Sequence, residues 1–238
     1  MKTIALYWGY LAGEEHLTNE QFASIDFGNP ALDTEFITFD PLATSFFQGK
    51  YYTMYEKRFA FPHRNLPSMR FETMVIYEDT SIKIIDPPVD LDSPVGIFLC
   101  IFTGTNDHIK KTIEFLGKKI NLRFSICEID LEKFFLRLSK TRLKILPKSL
   151  TVSNLSIDNT LSGNLEVFVT DQNQYRNNLK SYKPQITELK FIIKEVNLRI
   201  DIEIKIDGTI SFYPDIANLN LLETIYDIAS RSVFTGSI

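Results

Sequence analysis

The segment Leu198–Pro214, LRIDIEIKIDGTISFYP, constrains the fold of this chain more than any other. Leu198, Ile200, Ile202, Ile204 and Ile206 alternate with Arg199, Asp201, Glu203, Lys205 and Asp207. A period of two puts the aliphatic side chains on one side of an extended strand and the charges on the other. Asp207-Gly208 is a two-residue hairpin signal, and Ile210 and Phe212 resume the apolar alternation after it. The segment reads as an antiparallel hairpin with one dry and one wet face. A dry face needs a cover. Asn220 and Glu223 resemble a capping box, and Leu221, Leu222, Ile225, Ile228, Ala229 and Val233 share one side of a helix over 220–233. That helix is predicted to pack on the isoleucines.

Two more helices are expected, over 107–117 and 131–139. In the first, Ile109, Ile113, Leu116 and Ile120 recur at helical spacing, Thr105 or Asn106 caps the start, and Gly117 is a stop signal. In the second, Asp130 caps and Leu131, Phe134, Phe135 and Leu138 form the apolar side. Strands are expected at Thr3–Tyr10, Tyr51–Phe61, Gly96–Phe102, Leu122–Ile126 and around Leu165–Val169. Phe71–Tyr77 and Ser81–Ile85 read as a hairpin turning at Glu78-Asp79-Thr80. The strand, helix, strand succession through residue 126 is compatible with a β-α-β unit. The polar stretch DQNQYRNNLKSYKPQ, from Asp171 to Gln185, reads as a long loop or hairpin tip. Thr18–Gln21 offers a short helix start. The expected class is α+β: a mixed, mainly antiparallel sheet with amphipathic helices packed on it. It is either one unit over 1–238 or two halves, 1–104 and 105–238.

The net charge of −4 argues against a uniformly basic nucleic-acid binder, but charge is unevenly spread. Residues 1–104 carry seven Lys and Arg against fourteen Asp and Glu; residues 105–150 carry eleven against five; the remainder carries eight against eleven. The basic middle contains Lys110, Lys111, Lys118, Lys119, Arg123, Lys133, Arg137, Lys140, Arg142, Lys144 and Lys148. Gathered on one surface, these would neutralise several phosphates. Solvated helix faces, or docking against the acidic first part, account for the same lysines.

Three weaker features stand beside it. TGTND, Thr103–Asp107, precedes a helix and raises the question of an anion cradle. A single glycine and the negative Asp107 favour a plain helix cap. FFQGKYYTMYEKRFAFPHR, Phe46–Arg64, interleaves aromatics with Lys50, Lys57, Arg58 and Arg64 as on base-stacking surfaces, although Tyr51, Tyr55, Phe59 and Phe61 share the parity of an ordinary buried face. DIEIK, Asp201–Lys205, has the D/E-x-K spacing of Mg-dependent nucleases in Glu203 and Lys205. Such a site needs another carboxylate from a neighbouring strand, with Glu188 or Glu195 nearest in sequence. Asp86, Asp90 and Asp92 match no calcium-loop spacing. His16, His63 and His108 lie apart and match no triad or zinc pattern.

These readings point to a non-catalytic binding protein or complex subunit whose 105–150 segment contacts nucleic acid or an acidic protein. The alternatives are a Mg-dependent nuclease using Glu203 and Lys205 beside Asp201, and a purely structural subunit. No cofactor or metal is expected, no membrane span reaches the required length, and association with itself or other chains is left open. Two isolated cysteines, Cys100 and Cys127, fit buried thiols in a reducing, cytoplasmic compartment. The start, MKTIALYWGYL, reads as a first strand rather than a secretion signal.

Overall fold

The computed structural model describes residues 2–11, 25–39, 47–62, 69–86, 97–156, 162–169, 171–182, 185–195, 198–213 and 219–234. Within them the chain forms one eleven-stranded sheet. Strand β1 (Thr3–Leu11) is followed by a meander of β2 (Glu35–Phe39), β3 (Phe47–Pro62), β4 (Met69–Ile85) and β5 (Ile97–Gly104). Helix α1 (Asn106–Ile120), strand β6 (Leu122–Ile126) and helix α2 (Leu131–Leu138) come next. Strands β7 (Lys144–Ser156) and β8 (Ser162–Phe168) lead to helix α3 (Gln172–Tyr182). A second meander, β9 (Ile186–Glu195), β10 (Leu198–Lys205) and β11 (Thr209–Tyr213), ends in helix α4 (Leu219–Ser230). Neighbours run β2-β3-β4-β5-β1-β11-β10-β9-β7-β8, with β6 also beside β1.

One edge of β1 pairs with β5 from Thr3 to Tyr10. The other edge is divided: Thr3–Ala5 pairs with β11 and Tyr7–Leu11 with β6. At the division, Leu6 donates its N–H to the Gly208 carbonyl at 3.2 Å and its carbonyl accepts from the Cys127 N–H at 3.2 Å. Gly208 has φ of 78°, and a Cβ there would collide with the Cys127 carbonyl. Only glycine meets both demands without cost.

Alternation along β1 also divides the core. Ile4, Leu6 and Trp8 face one side and are buried with α2, α3, α4 and the isoleucines of β10. Ala5 faces the other side and is buried with Ile82, Ile84 and the apolar side of α1. Three helices therefore cover one face of the second meander, and α1 covers the opposite face of the first. The predicted packing of Leu221, Ile225, Ile228 and Ala229 against Ile200, Ile202 and Ile204 is present.

The expected α+β class is overturned. Strand accounts for 54% and helix for 27%, and the architecture is a large antiparallel sheet with a few short helices. No pair among the described strands is parallel, so the sheet is not mixed. Strands β5 and β6 do flank α1 in sequence and run the same way, but β1 lies between them, a split β-α-β arrangement. The first meander shows why local signals understated the sheet. Glu78-Asp79-Thr80 is no turn: it pairs with Thr53, Tyr52 and Tyr51 in the middle of a seventeen-residue strand. Cross-strand partners along the whole of β3 outweigh the weak turn preference of three residues.

The stretch that reads as a long loop is helix α3. Asp171 accepts from the Gln174 N–H at 3.1 Å, and Tyr175 and Leu179, four apart, are buried. That cap and pair are legible in the sequence but are masked by polarity. Gly117 lies inside α1 rather than ending it. The helix runs on to Asn121, whose φ of 51° makes the left-handed cap. Among the described residues no helix is long and apolar enough to cross a membrane. Thr18–Gln21, His16, His63, Asp90, Asp92 and the side chains of Lys57, Arg58, Phe59, Phe61 and Arg64 lie outside the described residues.

Candidate functional site

The face of β9, β10 and β11 opposite α2, α3 and α4 carries the alternating charges of the hairpin. Register sets their neighbours. Glu203 lies opposite Lys190 and Lys205 opposite Glu188. Lys205 Nζ is 3.1 Å from Glu203 and 3.9 Å from Glu188; Lys190 Nζ is 2.9 Å from Glu188 and 3.5 Å from Glu166. Lys148 reaches Asp201 at 2.9 Å, and Ser149 donates to Glu166 at 2.8 Å. The hydrogen bond from Ser149, with Lys190 beside it, holds the Glu166 carboxyl below its ordinary range. Hydrogen bonds to Glu188 and Glu203 raise Lys190 and Lys205 respectively. Lys148, Ser149, Glu166, Lys190, Asp201 and Glu203 of this network floor a groove of about 420 Å³ edged by Phe168 and Tyr213.

The D/E-x-K positions thus come together with a third carboxylate, Glu188, on the adjacent strand. The side chain of Glu195, the other acid named for that role, lies outside the described residues. Lysines sit between the acids, so the arrangement is an ion-pair ladder rather than an open pair of metal-facing carboxylates. Among the described residues no group of three His, Cys, Asp or Glu side chains is placed to hold a metal ion. Asp86 is exposed at the end of β4.

The basic segment is spread over both sides of the sheet. Lys110, Lys111, Lys118 and Lys119 are on α1, with Asp107 and Glu114 interspersed on its outer side. Arg123 is exposed on β6, paired with Tyr10, whose parity is that of Trp8 on the opposite face. Lys133 and Arg137 are on α2, and Lys140, Arg142 and Lys144 follow into β7. Among the described residues none of these ten cations has an ion pair. Lys119 lies over the Phe115 ring at 5.6 Å. Lys148, the eleventh, belongs to the ladder.

Register adds two cations that the sequence does not associate with this segment. Lys144 lies opposite Lys194, and Lys194 lies opposite Arg199. The three form one row across β7, β9 and β10, on the same face as the ladder. Arg199 reaches Asp201 at 3.8 Å. Phe168 and Tyr213, 78% and 71% exposed, are likewise not marked out by the sequence. Parity along each strand is readable; the pairing that makes these residues neighbours is not.

A second groove, of about 510 Å³, lies between α4 and the strands β2–β5. Lys50 pairs with Asp79 at 3.4 Å and Lys83 with Glu223 at 3.0 Å, and Tyr226 bonds Thr103 at 2.6 Å. Within the aromatic-rich motif the parities separate. Tyr51 is buried, whereas Lys50 and Tyr52 face this groove's side of the sheet.

The TGTND junction is a helix cap. Thr105 accepts from the His108 N–H at 3.3 Å and donates to Glu78 at 3.0 Å, so acidic groups stand where an anion would sit. Gly104 permits close packing, since a Cβ there would lie 2.6 Å from Thr80 Oγ1. That hydroxyl bonds His108 Nδ1 at 2.6 Å, and Thr53 bonds Nε2 at 2.8 Å. His108 is fully buried against Tyr51 and ties α1 to β3 and β4. Burial lowers its pKa, outweighing the opposing pull of Glu78 and Asp79, while Lys111 acts in the same direction as burial. A lowered folded-state pKa means that the unfolded chain takes up this proton first as pH falls. The stability due to neutral His108 is expected in full above about pH 6.5 and to decline below it. His108→Phe should remove that slope between neutral pH and the carboxylate range. It should also cost about 1–3 kcal/mol for each threonine hydroxyl left unpaired. Urea unfolding at several pH values, followed by the fluorescence of Trp8, the one tryptophan of the chain, measures both. An unchanged slope would show that another group titrates.

Both cysteines are buried free thiols, and burial pushes Cys127 up to about 12 and Cys100 higher. Neither is available as a thiolate nucleophile near neutral pH. No protein-family model and no curated protein sequence matches this chain.

Proposed function

We propose that this chain is a non-catalytic binding protein or complex subunit that contacts nucleic acid through cations of its 105–150 segment. The observation that carries the reading is a contrast in pairing. On the sheet face, Lys148, Lys190 and Lys205 are each engaged by carboxylates. The ten cations of the basic segment have no ion pair among the described residues. Unpaired cations retain their full interaction for an external polyanion and release condensed counterions when they meet it. Lys133, Arg137, Lys140, Arg142 and Lys144, five cations within twelve residues, are the densest part of this set.

Fluorescence anisotropy of labelled single-stranded DNA, RNA and duplex over a salt series tests the reading. Binding is expected at low salt, with log K falling linearly against log salt by roughly 0.7 per phosphate neutralised on a single strand. No binding at low salt would sink it, and capture of an acidic protein instead would assign the cations to that partner. Glu188, standing beside Glu203 and Lys205, is the one observation favouring a nuclease. A labelled strand incubated with Mg²⁺ is expected to stay intact. Cleavage abolished by Glu203→Gln would overturn the non-catalytic reading.

A further inference from the structure

The sheet face that carries the ion-pair ladder has three properties that the basic segment alone does not explain. First, Lys144, Lys194 and Arg199 stand side by side on three adjacent strands. Directly opposed like charges destabilise a sheet, and strands lie only about 4.8 Å apart. Asp201, at 3.8 Å from Arg199, is the one carboxylate paired with the row among the described residues, and it also serves Lys148. Second, Tyr213 lies directly beside Asp201, one step along β10 from Arg199 on the same face. Phe168 stands on the far side of the same groove, opposite Ser149. Both rings are largely exposed, 71% and 78%. Third, α2, α3 and α4 all lie on the other face, so among the described residues no helix covers this surface.

We propose that this face is a single-strand track, with phosphates seated on the Lys144–Lys194–Arg199 row and bases stacked on Tyr213 and Phe168. The proposal rests on the nucleic-acid reading above and specifies its ligand and place. Charge complementarity selects a polyanion: a phosphate chain removes the repulsion that the row imposes on the isolated fold. The rings select a single strand, because a duplex hides its base faces and an unpaired strand offers them. The ladder carboxylates do not oppose it, since Glu188 and Glu203 are neutralised by Lys190 and Lys205. Of the paired groups, Lys190 and Glu203 line the groove between the rings and present hydrogen-bonding atoms to base edges. The described acidic residues of the first meander, β2–β5, lie on the other half of the sheet. A track at β7–β11 keeps the strand away from them.

The test uses the full chain, labelled oligothymidine and a duplex of equal length. The single strand is expected to bind more tightly than the duplex. Lys144→Glu with Lys194→Glu should weaken single-strand binding roughly tenfold or more and flatten the salt dependence by about 0.7 for each phosphate no longer neutralised. Phe168→Ala with Tyr213→Ala should weaken it by a similar factor while leaving the salt slope unchanged, as expected of stacking. Lys180→Glu on α3, exposed on the opposite face of the sheet and outside the 105–150 segment, serves as the distant control and should leave affinity nearly unchanged. Unfolding midpoints establish that each variant folds. Wild-type affinity in both track variants, together with weakened binding in Lys133→Glu/Arg137→Glu, would overturn the track and leave the nucleic-acid reading standing. Absence of any oligonucleotide binding would overturn both. A wild-type dimer in sedimentation that Phe168→Ala/Tyr213→Ala dissociates, with nucleic-acid binding untouched, would make this face an interface between copies and overturn the track.

Discussion

Replacing Phe135 with alanine is expected to remove about 3–5 kcal/mol of stability, the usual cost of deleting a buried aromatic ring. Phe135 is fully buried on α2. Its ring centroid lies 4.7 Å from that of Tyr175 on α3 and 6.4 Å from that of Phe191 on β9, so α3 and β9 lose a common partner on α2. Two partners are themselves rigid aromatics, so the void cannot close by a rotamer change. Urea unfolding followed by Trp8, which lies in the same core cluster, reports the loss. A cost below about 1 kcal/mol would mean that the site collapses freely and that α2 and α3 are not packed as described.

The second large effect is expected at Gly208. Gly208→Ala places a Cβ at φ of 78°, which costs about 1–3 kcal/mol for the backbone conformation alone. The same Cβ collides with the Cys127 carbonyl, whose residue donates its N–H to Leu6. The turn cannot yield without disturbing the place where β1 passes from β11 to β6. Gly208→Asn separates the two causes. Asparagine tolerates the left-handed region, so the difference between Asn and Ala reads the backbone cost, and what they share reads the collision. Equal stability of Gly208→Ala and wild type would show that the Asp207-Gly208 turn is not held against β1.

Phe135 and Gly208 are both places where local pattern and distant packing meet, and they mark how much is legible in the sequence. The β10–β11 hairpin, its glycine turn and the helix that covers it are readable because alternation and helical periodicity are properties of neighbouring residues. The caps at Thr105 and Asp130 are readable for the same reason. Helix α3 escapes sequence reading although Tyr175 and Leu179 are correctly spaced, because two apolar residues in a polar stretch stabilise a helix only when a core exists to receive them. The extent of β3 and β4 escapes it because a long hairpin is held by its cross-strand partners.

The candidate site divides in the same way. The basic segment is visible as composition, yet composition does not reveal that α1 and α2 cover opposite faces of the sheet. A single strand, β1, separates the two cores by alternating its side chains. Two sets of lysines that are close in sequence therefore end up on different surfaces. Arg199 is recognisable as one charge on a wet strand face, and nothing in the sequence marks out Lys194. Their alignment with Lys144 depends on register between strands, which a sequence period of two leaves open.

By itself, then, the sequence determined which residues of its most periodic segments would face inward, where α1 and α2 would begin and that the charge would gather between residues 105 and 150. Those outcomes follow from periodicity, capping and composition, which act over a few residues. The tertiary structure alone decided that every described strand pairing is antiparallel, that His108 would be a buried tie between Thr53 and Thr80, and that Lys144, Lys194 and Arg199 would stand in one row beside exposed rings. The reason is physical. Such arrangements depend on how separate elements pair and pack, and only the assembled sheet brings their side chains together.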